Sequence, residues 1–482
     1  MVITLEGEYT TARIMVDDES LVEENCLEQI RDLVDHPAFT EPVRVMPDAH
    51  WGAGAPVGFT MSLPDRVVPN IVGVDVGCGM SATNIGPELP LEGAERERRV
   101  REAVPMGRNV HDYDEAPHLV DEFPFDRAND VFDRFAAAYE DRFDRPIDPL
   151  EFEFDGYDGD YFKALCRRVL SRQRQGMGHV IRSAGTLGGG NHFIEFAVAR
   201  ESGDYWVVVH SGSRYLGKSV AEYWQHRANQ YRNADAIREI IPHEYAEYLK
   251  FDPETVSDRD LHEWVTGGKG ESHIRKERVR EDFEGADVEA VFDRLSRPHE
   301  DAPERNEELD WLEGREAHGY YVDMLFAQQY ARWNRRLMSE RICEILDVEP
   351  TDRIESIHNY IDFRDLTIRK GATPAREGQR LIIPFNMAEG SILARGKGNE
   401  EWNRTAPHGA GRVMGRREAH EQLSIEAFEE SMAGVYSESV VEEVVDEAPM
   451  AYKPTEAIAE SIEPTAEVID WLEVVHNLKA KE

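Results

Sequence analysis

At 482 residues and a formal net charge of −40, the chain is long enough to bury a large core and is unusually acidic. It contains no apolar run of about 18 residues and no basic segment followed by an apolar one, which argues against a membrane span and a secretory signal and predicts a cytoplasmic protein. Its four cysteines, Cys26, Cys78, Cys166 and Cys343, are widely scattered, which argues against a disulfide framework.

The net charge indicates the salt environment of the protein rather than a binding partner. Acidic residues number 95 against 55 basic ones, of which only 10 are lysine. Such a composition is typical of a halophilic protein, because concentrated salt screens the repulsion between carboxylates. In that salt counterion release contributes little affinity, so RNA would have to be held by metals and directed hydrogen bonds. The net charge therefore does not exclude a nucleic-acid substrate.

The first predicted elements are strands and tight turns, because apolar runs alternate with glycine over residues 46–58 and 67–79. Residues 126–180 are charged and aromatic. Aromatic residues at helical spacing in this stretch predict the buried face of a helix. They are Phe132, Phe135 and Tyr139.

The middle of the chain begins with two predicted buried strands, over 193–198 and 205–209, each beside a turn that carries a histidine. Residues 230–315 are rich in acid and poor in apolar periodicity, which predicts an acidic insertion of short helices rather than a separate core. A continuous apolar face predicts a helix over 315–346.

The last third contains strand-like runs over 353–361 and 381–385, a glycine-rich loop over 390–411 and helical segments to the C-terminus. These elements predict the α+β class, with a β-sheet core and surrounding helices. We expect one catalytic domain over 1–482 with 230–315 as its insertion.

Two residues of the glycine-rich stretch near position 75 indicate a metal site. Asp75 and Cys78 offer a carboxylate and a thiol, which suit divalent transition metals, although a strand that ends in a turn can produce such a pair by chance. His192, His210 and His358 each lie beside a strand or turn, and singly each is more often structural. Five ligands are too many for one tetrahedral zinc, so together they predict two ions, Mn²⁺, Zn²⁺ or Fe²⁺, bridged by Cys78.

The run 390–412 has the composition of a phosphate-handling loop. Glycine beside His408 leaves room for its imidazole to approach phosphorus, and Lys397, Arg404 and Arg412 supply positive charge. The loop lacks the Walker A pattern, and a glycine-rich surface turn with solvated arginines is the structural alternative. From the residues alone His408 is either a sixth metal ligand or a nucleophile that forms a phosphoramidate.

Other residues suggest a nucleotide pocket, although each also has a structural explanation. Phe193 and Tyr452 could stack on a base, but core packing is the commoner role of such aromatic residues. Glu195 could accept hydrogen bonds from N1 and N2 of guanine, and Ser391 could contact the base or sugar. Asn191 adjoins a candidate ligand and could contact phosphate or orient that ligand.

Seven motifs in chain order resemble those of the RtcB family of RNA ligases, and the resemblance covers the chain from about Met46 to the C-terminus. The motifs are Met46-Pro47-Asp48-x-His50, Asp75-x-x-Cys78-Gly79, Gly190-Asn191-His192-Phe193-x-Glu195, His210-x-Gly212-Ser213-Arg214, His358-Asn359-Tyr360, His408-Gly409-Ala410-Gly411-Arg412 and Glu447-Ala448-Pro449-x-Ala451-Tyr452-Lys453.

The resemblance implies a GTP- and Mn²⁺-dependent ligase that joins an RNA 3′-phosphate, or a 2′,3′-cyclic phosphate, to a 5′-hydroxyl. It implies that the five ligands named above hold two Mn²⁺ ions and that His408 becomes guanylylated. Residues implied around the guanine nucleotide are Asn191, Phe193, Glu195, Ser391, Gly409, Ala410, Gly411, Tyr452 and Lys479, with Lys481 as the alternative to Lys479.

The resemblance also implies RNA partners, either tRNA exon halves or cleaved RNA, and leaves open whether archease is needed as an activating partner. The dipeptide before His408 and the C-terminal tail resemble a shorter RtcB-like branch, so both tRNA splicing and RNA repair stay open. The alternative function is a dinuclear phosphodiesterase or phosphatase that hydrolyses RNA ends without nucleotide transfer. A non-enzymatic RNA-binding scaffold ranks last, because a metal set has no purpose there.

Overall fold

The computed structural model describes residues 2–16, 22–149, 152–241, 243–258, 260–261, 273–296 and 306–481. The chain divides into two compact units, one made of residues 1–222 and 313–482 and the other of residues 223–312. Helices and sheets are both present, which confirms the predicted α+β class. Within the described ranges no helix has the length and hydropathy that crossing a membrane requires.

The centre of the first unit is an antiparallel sheet of seven strands, called the large sheet below. Its strands are rich in valine and isoleucine, which pack well on a pleated surface. The strands predicted over 193–198, 205–209 and 381–385 are confirmed. Their order across the sheet is Asp352–Ile357, Gly79–Gly86, Tyr205–Ser211, Phe193–Ala199, Ala466–Leu478, Ser391–Gly396 and Arg380–Pro384.

A second sheet of six strands, the small sheet, is formed mainly by the N-terminal part of the chain. The run predicted as one strand over 353–361 is divided between the two sheets at His358. The order of the small sheet is Ile3–Glu6, Thr11–Ile14, Val43–His50, Val57–Ser62, Thr367–Lys370 and Asn359–Ile361. Further short strands are Arg66–Val67, Leu312–Glu313, and Ala372–Pro374 paired with Thr405–Pro407.

Most helices of the first unit surround these sheets. The helix expected from aromatic spacing is confirmed as Phe125–Phe143, which buries Phe135 and Tyr139, and the helix expected over 315–346 is confirmed as Gly314–Leu346. The remaining α-helices that begin in this unit are Glu24–Val34, Gly93–Ala103, Leu119–Glu122, Gly159–Val169, Met177–Arg182, Arg214–Ile240, Arg416–Gln422, Ile425–Ser431 and Thr455–Ser461.

The long helix Gly314–Leu346 fastens the loops at one end of the large sheet. Arg335 is fully buried and donates from Nη1 to the carbonyl oxygens of Gly77 and Ser211, at 2.7 and 2.9 Å. Its neighbour Asn334 donates to the carbonyl oxygen of Gly212 at 3.0 Å. Charge-assisted hydrogen bonds of this kind are strong when buried, so the helix fixes the backbone on which the candidate ligands lie.

The second unit contains the helices Lys276–Asp282 and Ala286–Ser296. Ten buried residues form a hydrophobic cluster of its own, from Ala234 to Leu295, so the expectation that this stretch lacks a core is wrong. Because these apolar residues are spread over several helices and loops, no regular apolar spacing in the sequence predicts that they pack together. Parts of the predicted insertion over 230–315 lie outside the described residues, and its status as an insertion stays a prediction.

The C-terminal third differs from the prediction in two places. The glycine-rich loop expected over 390–411 contains the strand Ser391–Gly396, and the chain ends in the 13-residue strand Ala466–Leu478 rather than in a helix. That final strand lies between Phe193–Ala199 and Ser391–Gly396 in the large sheet. It carries Asn477 and, just beyond its end, Lys479.

Candidate active site

The large sheet brings four of the candidate metal ligands to one end. Cys78 and His192 lie at the start of two of its strands, whereas His210 and His358 lie at the end of the neighbouring ones. Neighbouring strands run in opposite directions, so the start of one lies beside the end of the next. Distant segments of the sequence therefore meet at this edge.

Two groups of candidate ligands share Cys78. Its Sγ lies 3.3 Å from Nε2 of His210 and 3.5 Å from Nε2 of His192. Nε2 of His210 is 3.2 Å from Nε2 of His358, and Nε2 of His192 is 2.8 Å from Oδ2 of Asp75. Atoms bound about 2.0 to 2.3 Å from one ion lie about 3 to 4 Å apart, so both groups have the spacing of ligands around an ion.

His210 presents a lone pair toward this centre. Nδ1 of His210 lies 3.1 Å from the carbonyl oxygen of Asn191 and donates to it, which leaves Nε2 unprotonated. Burial lowers the pKa of His210 and of His358 well below its ordinary value, so both rings are neutral at pH 7. Neutral imidazole is the form that binds metal.

The pKa values of Asp75 and Cys78 are shifted in opposite directions. Burial raises the pKa of Asp75, but the hydrogen bond and charge of His192 outweigh it and hold the pKa at about 2. Burial, followed by the charge of Asp75, raises the pKa of Cys78 well above its ordinary value. An ion bound here would therefore displace the thiol proton. Gly212 permits the arrangement, because a Cβ at this position would overlap the Asp75 carboxylate.

His408 lies beside this centre, immediately after the strand Thr405–Pro407. Its ring centroid is 4.8 Å from that of His358. Nδ1 donates to Oδ2 of the fully buried Asp48 at 2.7 Å, which leaves the lone pair on Nε2. A carboxylate that fixes the tautomer of an imidazole in this way is typical of nucleophilic and acid–base sites.

Asp48 is a further candidate site residue whose role could not be predicted from the sequence, although it lies in the first of the seven motifs. Its backbone is held by Lys453, which donates to the carbonyl oxygens of Pro47 and Ala49 at 3.0 and 3.2 Å. Gly411, at φ +73°, contacts the same backbone, and a Cβ there would overlap the carbonyl oxygen of Asp48. The motifs that begin at 46, 408 and 447 therefore form one structural unit.

A cavity of about 700 Å³ extends from the candidate metal ligands along His408 and is large enough for a nucleotide. Eight of the nine residues implied around the nucleotide line it: Asn191, Phe193, Glu195, Gly409, Ala410, Gly411, Tyr452 and Lys479. The ninth, Ser391, is fully buried on the strand Ser391–Gly396 and does not line the cavity. Lys481 is exposed and pairs with Glu438, whereas Lys479 lines the cavity.

Glu447 pairs with the cationic side chains on one wall of the cavity. It accepts from Nζ of Lys479 and from Nη1 of Arg416, both at 2.6 Å, and from the hydroxyl of Tyr452 at 2.7 Å. Burial disfavours its charge, but these cations, Lys479 first, hold its pKa well below the usual range. The role of Glu447 could not be predicted from the sequence, although the residue lies in the last of the seven motifs.

Two cations expected in the phosphate-handling loop lie elsewhere. Lys397 pairs with Glu463 at 2.7 Å, and Arg404 pairs with Glu400, four residues earlier in the sequence. Neither residue lines the cavity, whereas Arg412 does. Lys397 follows the strand Ser391–Gly396, and Arg404 precedes the strand Thr405–Pro407.

Glu195 makes the stability of the protein depend on pH. Burial raises its pKa from 4.5 to about 8, and one of its carboxylate oxygens has no hydrogen-bond partner among the described residues. The folded state therefore holds this proton more tightly than the unfolded state does. The associated stability is complete below about pH 4 and is lost as the pH rises through about 8.

We expect Glu195→Gln, which cannot titrate, to gain stability relative to the parent between pH 5 and pH 8, by up to about 5 kcal/mol. Urea unfolding at pH 5, 6.5 and 8 measures the difference. Glu473→Gln, a change of an exposed residue on the final strand, is the matched control. Equal pH dependence for Glu195→Gln and the parent would contradict the raised pKa.

The sequence of the chain is similar to a family profile and to proteins from bacteria and archaea. A family profile described as "tRNA-splicing ligase RtcB" matches residues 29–258 and 287–480. The chain is 28% identical to the RNA-splicing ligase RtcB of Escherichia coli strain K12, over 95% of this chain and 93% of that protein. It is 25% identical to the tRNA-splicing ligase RtcB of Nanoarchaeum equitans over 95% and 92%, and 25% identical to the RNA-splicing ligase RtcB of Mycobacterium tuberculosis over 90% and 95%.

Proposed function

Since the chain belongs to the RtcB family, we propose that it is an RNA ligase that uses GTP and Mn²⁺ to join a 3′-phosphate or 2′,3′-cyclic phosphate end to a 5′-hydroxyl end. The observation that carries the proposal is the geometry of His408. Its Nδ1 donates to buried Asp48, and its ring lies against His358, a candidate ligand. A nucleophile with a fixed lone pair beside an electrophilic centre suits phosphoryl and nucleotidyl transfer.

The candidate metal residues fit two divalent ions. Asp75, Cys78 and His192 would hold one ion, and Cys78, His210 and His358 the other, with the thiolate shared. The buried Nδ1 atoms of His192 and His358 have no hydrogen-bond partner among the described residues, which supports a role for these rings that is not purely structural. When bound, such ions would stabilise negative charge on phosphoryl oxygens as Lewis acids. The choice of Mn²⁺ rests on the family resemblance.

The far wall of the cavity suits a guanine nucleotide. Glu195 has a buried carboxylate oxygen without a partner, which could accept from the N1 and N2 donors that adenine lacks. Phe193 and Tyr452 line the cavity and offer ring surfaces to a base. Lys479 and Arg416 supply positive charge toward phosphate or a base oxygen. We assign no nucleotide contact to Ser391, which is buried away from the cavity.

The proposed reaction has three steps. Nε2 of His408 attacks the α-phosphorus of GTP, so that a P–N bond forms while the bond to pyrophosphate breaks. An oxygen of the RNA 3′-phosphate then attacks the same phosphorus, takes GMP and frees His408. Finally the 5′-hydroxyl attacks the activated 3′-phosphate, loses its proton and expels GMP. A 2′,3′-cyclic phosphate must first be opened by water to the 3′-phosphate.

Incubation of the protein with GTP labelled at the α-phosphate tests this proposal. With Mn²⁺ and at several KCl concentrations up to the molar range, an acid-labile and alkali-stable protein–GMP adduct is expected. Addition of RNA with 3′-phosphate and 5′-hydroxyl ends should discharge the adduct and yield joined RNA. Turnover of cyclic phosphate ends without GTP and without an adduct would instead identify the phosphodiesterase alternative and overturn the proposal.

Asp48→Asn tests how His408 is prepared. An amide presents its NH₂ group to Nδ1 and so favours the tautomer whose proton is on Nε2, which removes the attacking lone pair. We expect the rate of adduct formation to fall about 10²- to 10⁴-fold, with less effect on GTP affinity. Single-turnover labelling measures both quantities. Asp160→Asn, which changes an exposed carboxylate, should label at the parental rate, and an equal rate for Asp48→Asn would refute the role of the carboxylate.

The biological setting follows from the family only in outline. RNA is the substrate class, and both tRNA splicing and RNA repair are compatible with one site. An archease partner, a cytoplasmic location and adaptation to high salt stay predictions. Rate measurements with tRNA halves and with a generic cleaved RNA, each with and without added archease, would distinguish the two substrates.

A further inference from the structure

A second cavity, of about 290 Å³, lies in the first unit and is called the arginine cavity below. It is formed by the start of the helix Phe125–Phe143, the middle of the long helix Gly314–Leu346 and the strand Asp352–Ile357. Four arginines line it, namely Arg127, Arg332, Arg336 and Arg353. In a chain whose acidic residues outnumber its basic ones by 95 to 55, such a concentration of cations is unusual.

The carboxylates near the arginine cavity are too few to neutralise it. Arg332 pairs with Glu355 at 2.6 Å, whereas Arg336 and Arg353 share one oxygen of Glu340, at 2.7 and 3.5 Å. No carboxylate of a described residue lies within ion-pairing distance of Arg127. The cavity therefore has an excess of positive charge that an anion would offset.

Two further features suit a phosphorylated ligand. Pro124, which precedes the 19-residue helix Phe125–Phe143, lines the cavity, so the positive end of the helix dipole adds to the arginine charge. Gln329 also lines it, and this side chain is 6% exposed with a carbonyl oxygen that has no hydrogen-bond partner among the described residues. That oxygen would accept from a donor such as a ribose hydroxyl.

We propose that the arginine cavity binds a backbone phosphate of the RNA substrate, with Arg127 and Arg353 on the phosphate and Gln329 on a neighbouring ribose hydroxyl. The identification of RNA rests on the proposed function. Arginine suits this role because its planar guanidinium donates two parallel hydrogen bonds to phosphate oxygens. Such directed contacts also retain affinity in salt that screens long-range attraction.

The arginine cavity and the candidate active site lie along one strand of the large sheet. The strand that carries Arg353 and Glu355 leads directly into His358, and at about 3.3 Å per residue Arg353 lies roughly 17 Å from that candidate ligand. A nucleic-acid strand with the B-form rise of about 3.4 Å per nucleotide covers this distance in roughly five nucleotides. Longer RNA should therefore use the arginine cavity, and shorter RNA should not.

Charge reversal tests the proposal. We expect Arg127→Glu and Arg353→Glu each to weaken binding of a fluorescein-labelled 20-nucleotide RNA with a 3′-phosphate by about tenfold, measured by fluorescence anisotropy at fixed KCl. The slope of log affinity against log salt should become shallower by about 0.7 for each lost phosphate contact. A trinucleotide 3′-phosphate, used as a competitor, should bind the variants and the parent alike.

Arg98→Glu is the matched control, because it changes the same charge on an exposed helix whose ion pairs contribute little. The GMP adduct is measured on every variant and should form at the parental rate. Unchanged affinity of both cavity variants for the 20-nucleotide RNA, or an equal loss in Arg98→Glu, would overturn the proposal. Inorganic pyrophosphate provides a further test. If it competes strongly in the parent but not in the variants, and the RNA affinities do not differ, the cavity binds free anions only and the proposal is overturned. Absence of the adduct in the parent would instead count against the proposed function.

Discussion

His408→Ala is expected to abolish the protein–GMP adduct and to reduce ligation at least about 10⁴-fold. The reason is that Nε2 of His408 has its lone pair fixed by Asp48 and faces the candidate metal ligands. Alanine leaves the cavity and the metal residues in place but supplies no atom that can bond to phosphorus. Labelling with GTP and gel assays of RNA joining measure the two losses separately.

The variant also separates ligation from hydrolysis. His118→Ala, which removes an exposed histidine, is the control and should label and ligate like the parent. If His408→Ala retains turnover of 2′,3′-cyclic phosphate ends while it loses the adduct, the metal residues alone perform that step. If His408→Ala still forms a stable adduct, another residue is the nucleophile and the proposed function is wrong in its central step.

The candidate metal ligands could be predicted because their signal is local. Cys78 and His192 each lie at the start of a strand and His210 and His358 at the end of one, and such positions are visible in the sequence as apolar runs that begin or stop at a potential ligand. The sequence could not supply the order of the strands, which decides whether these ends meet. The resemblance to a family supplied that information, and the sheet register shows how the ends converge.

The acidic residues of the candidate site were harder to predict. Asp48 and Glu447 act through side chains far away in sequence, and a single acidic residue carries no signal in a chain with 95 of them. The only feature of the sequence that marks them is that each lies in one of the seven motifs. The same limit applied to Lys397 and Arg404, whose charges suggested phosphate binding although their partners are nearby glutamates.

The final strand explains why the helix predicted at the C-terminus was wrong. Residues 466–478 alternate polar and apolar side chains in part, but the pattern is broken by a bulge between Val474 and His476. The strand lies inside the large sheet, so Asn477 and Lys479 reach the cavity from a central position. A surface helix in its place would have left Glu195 without the amide that donates to it at 3.2 Å.

Cys78→Ala is expected to remove both ions, because its Sγ is the only atom common to the two ligand groups. The variant should bind Mn²⁺ at least about 10²-fold more weakly and lose adduct formation and ligation together. A ligand that binds only the folded state stabilises it by RT ln(1 + [L]/Kd), about 2.7 kcal/mol at 100 times Kd. The unfolding midpoint of the parent should therefore rise with Mn²⁺ concentration, and that of Cys78→Ala should stay constant.

Cys343→Ala is the matched control for this prediction, since Cys343 is also buried but packs in a hydrophobic cluster. It should bind two Mn²⁺ ions per chain by equilibrium dialysis and retain the Mn²⁺-dependent rise in midpoint. Metal binding to Cys78→Ala at full stoichiometry would mean that imidazole and carboxylate hold the ions without the thiolate. Loss of one ion only would mean that Cys78 belongs to a single site, and the shared-ligand arrangement would then be wrong. Only the loss of both ions agrees with a thiolate that bridges the two groups.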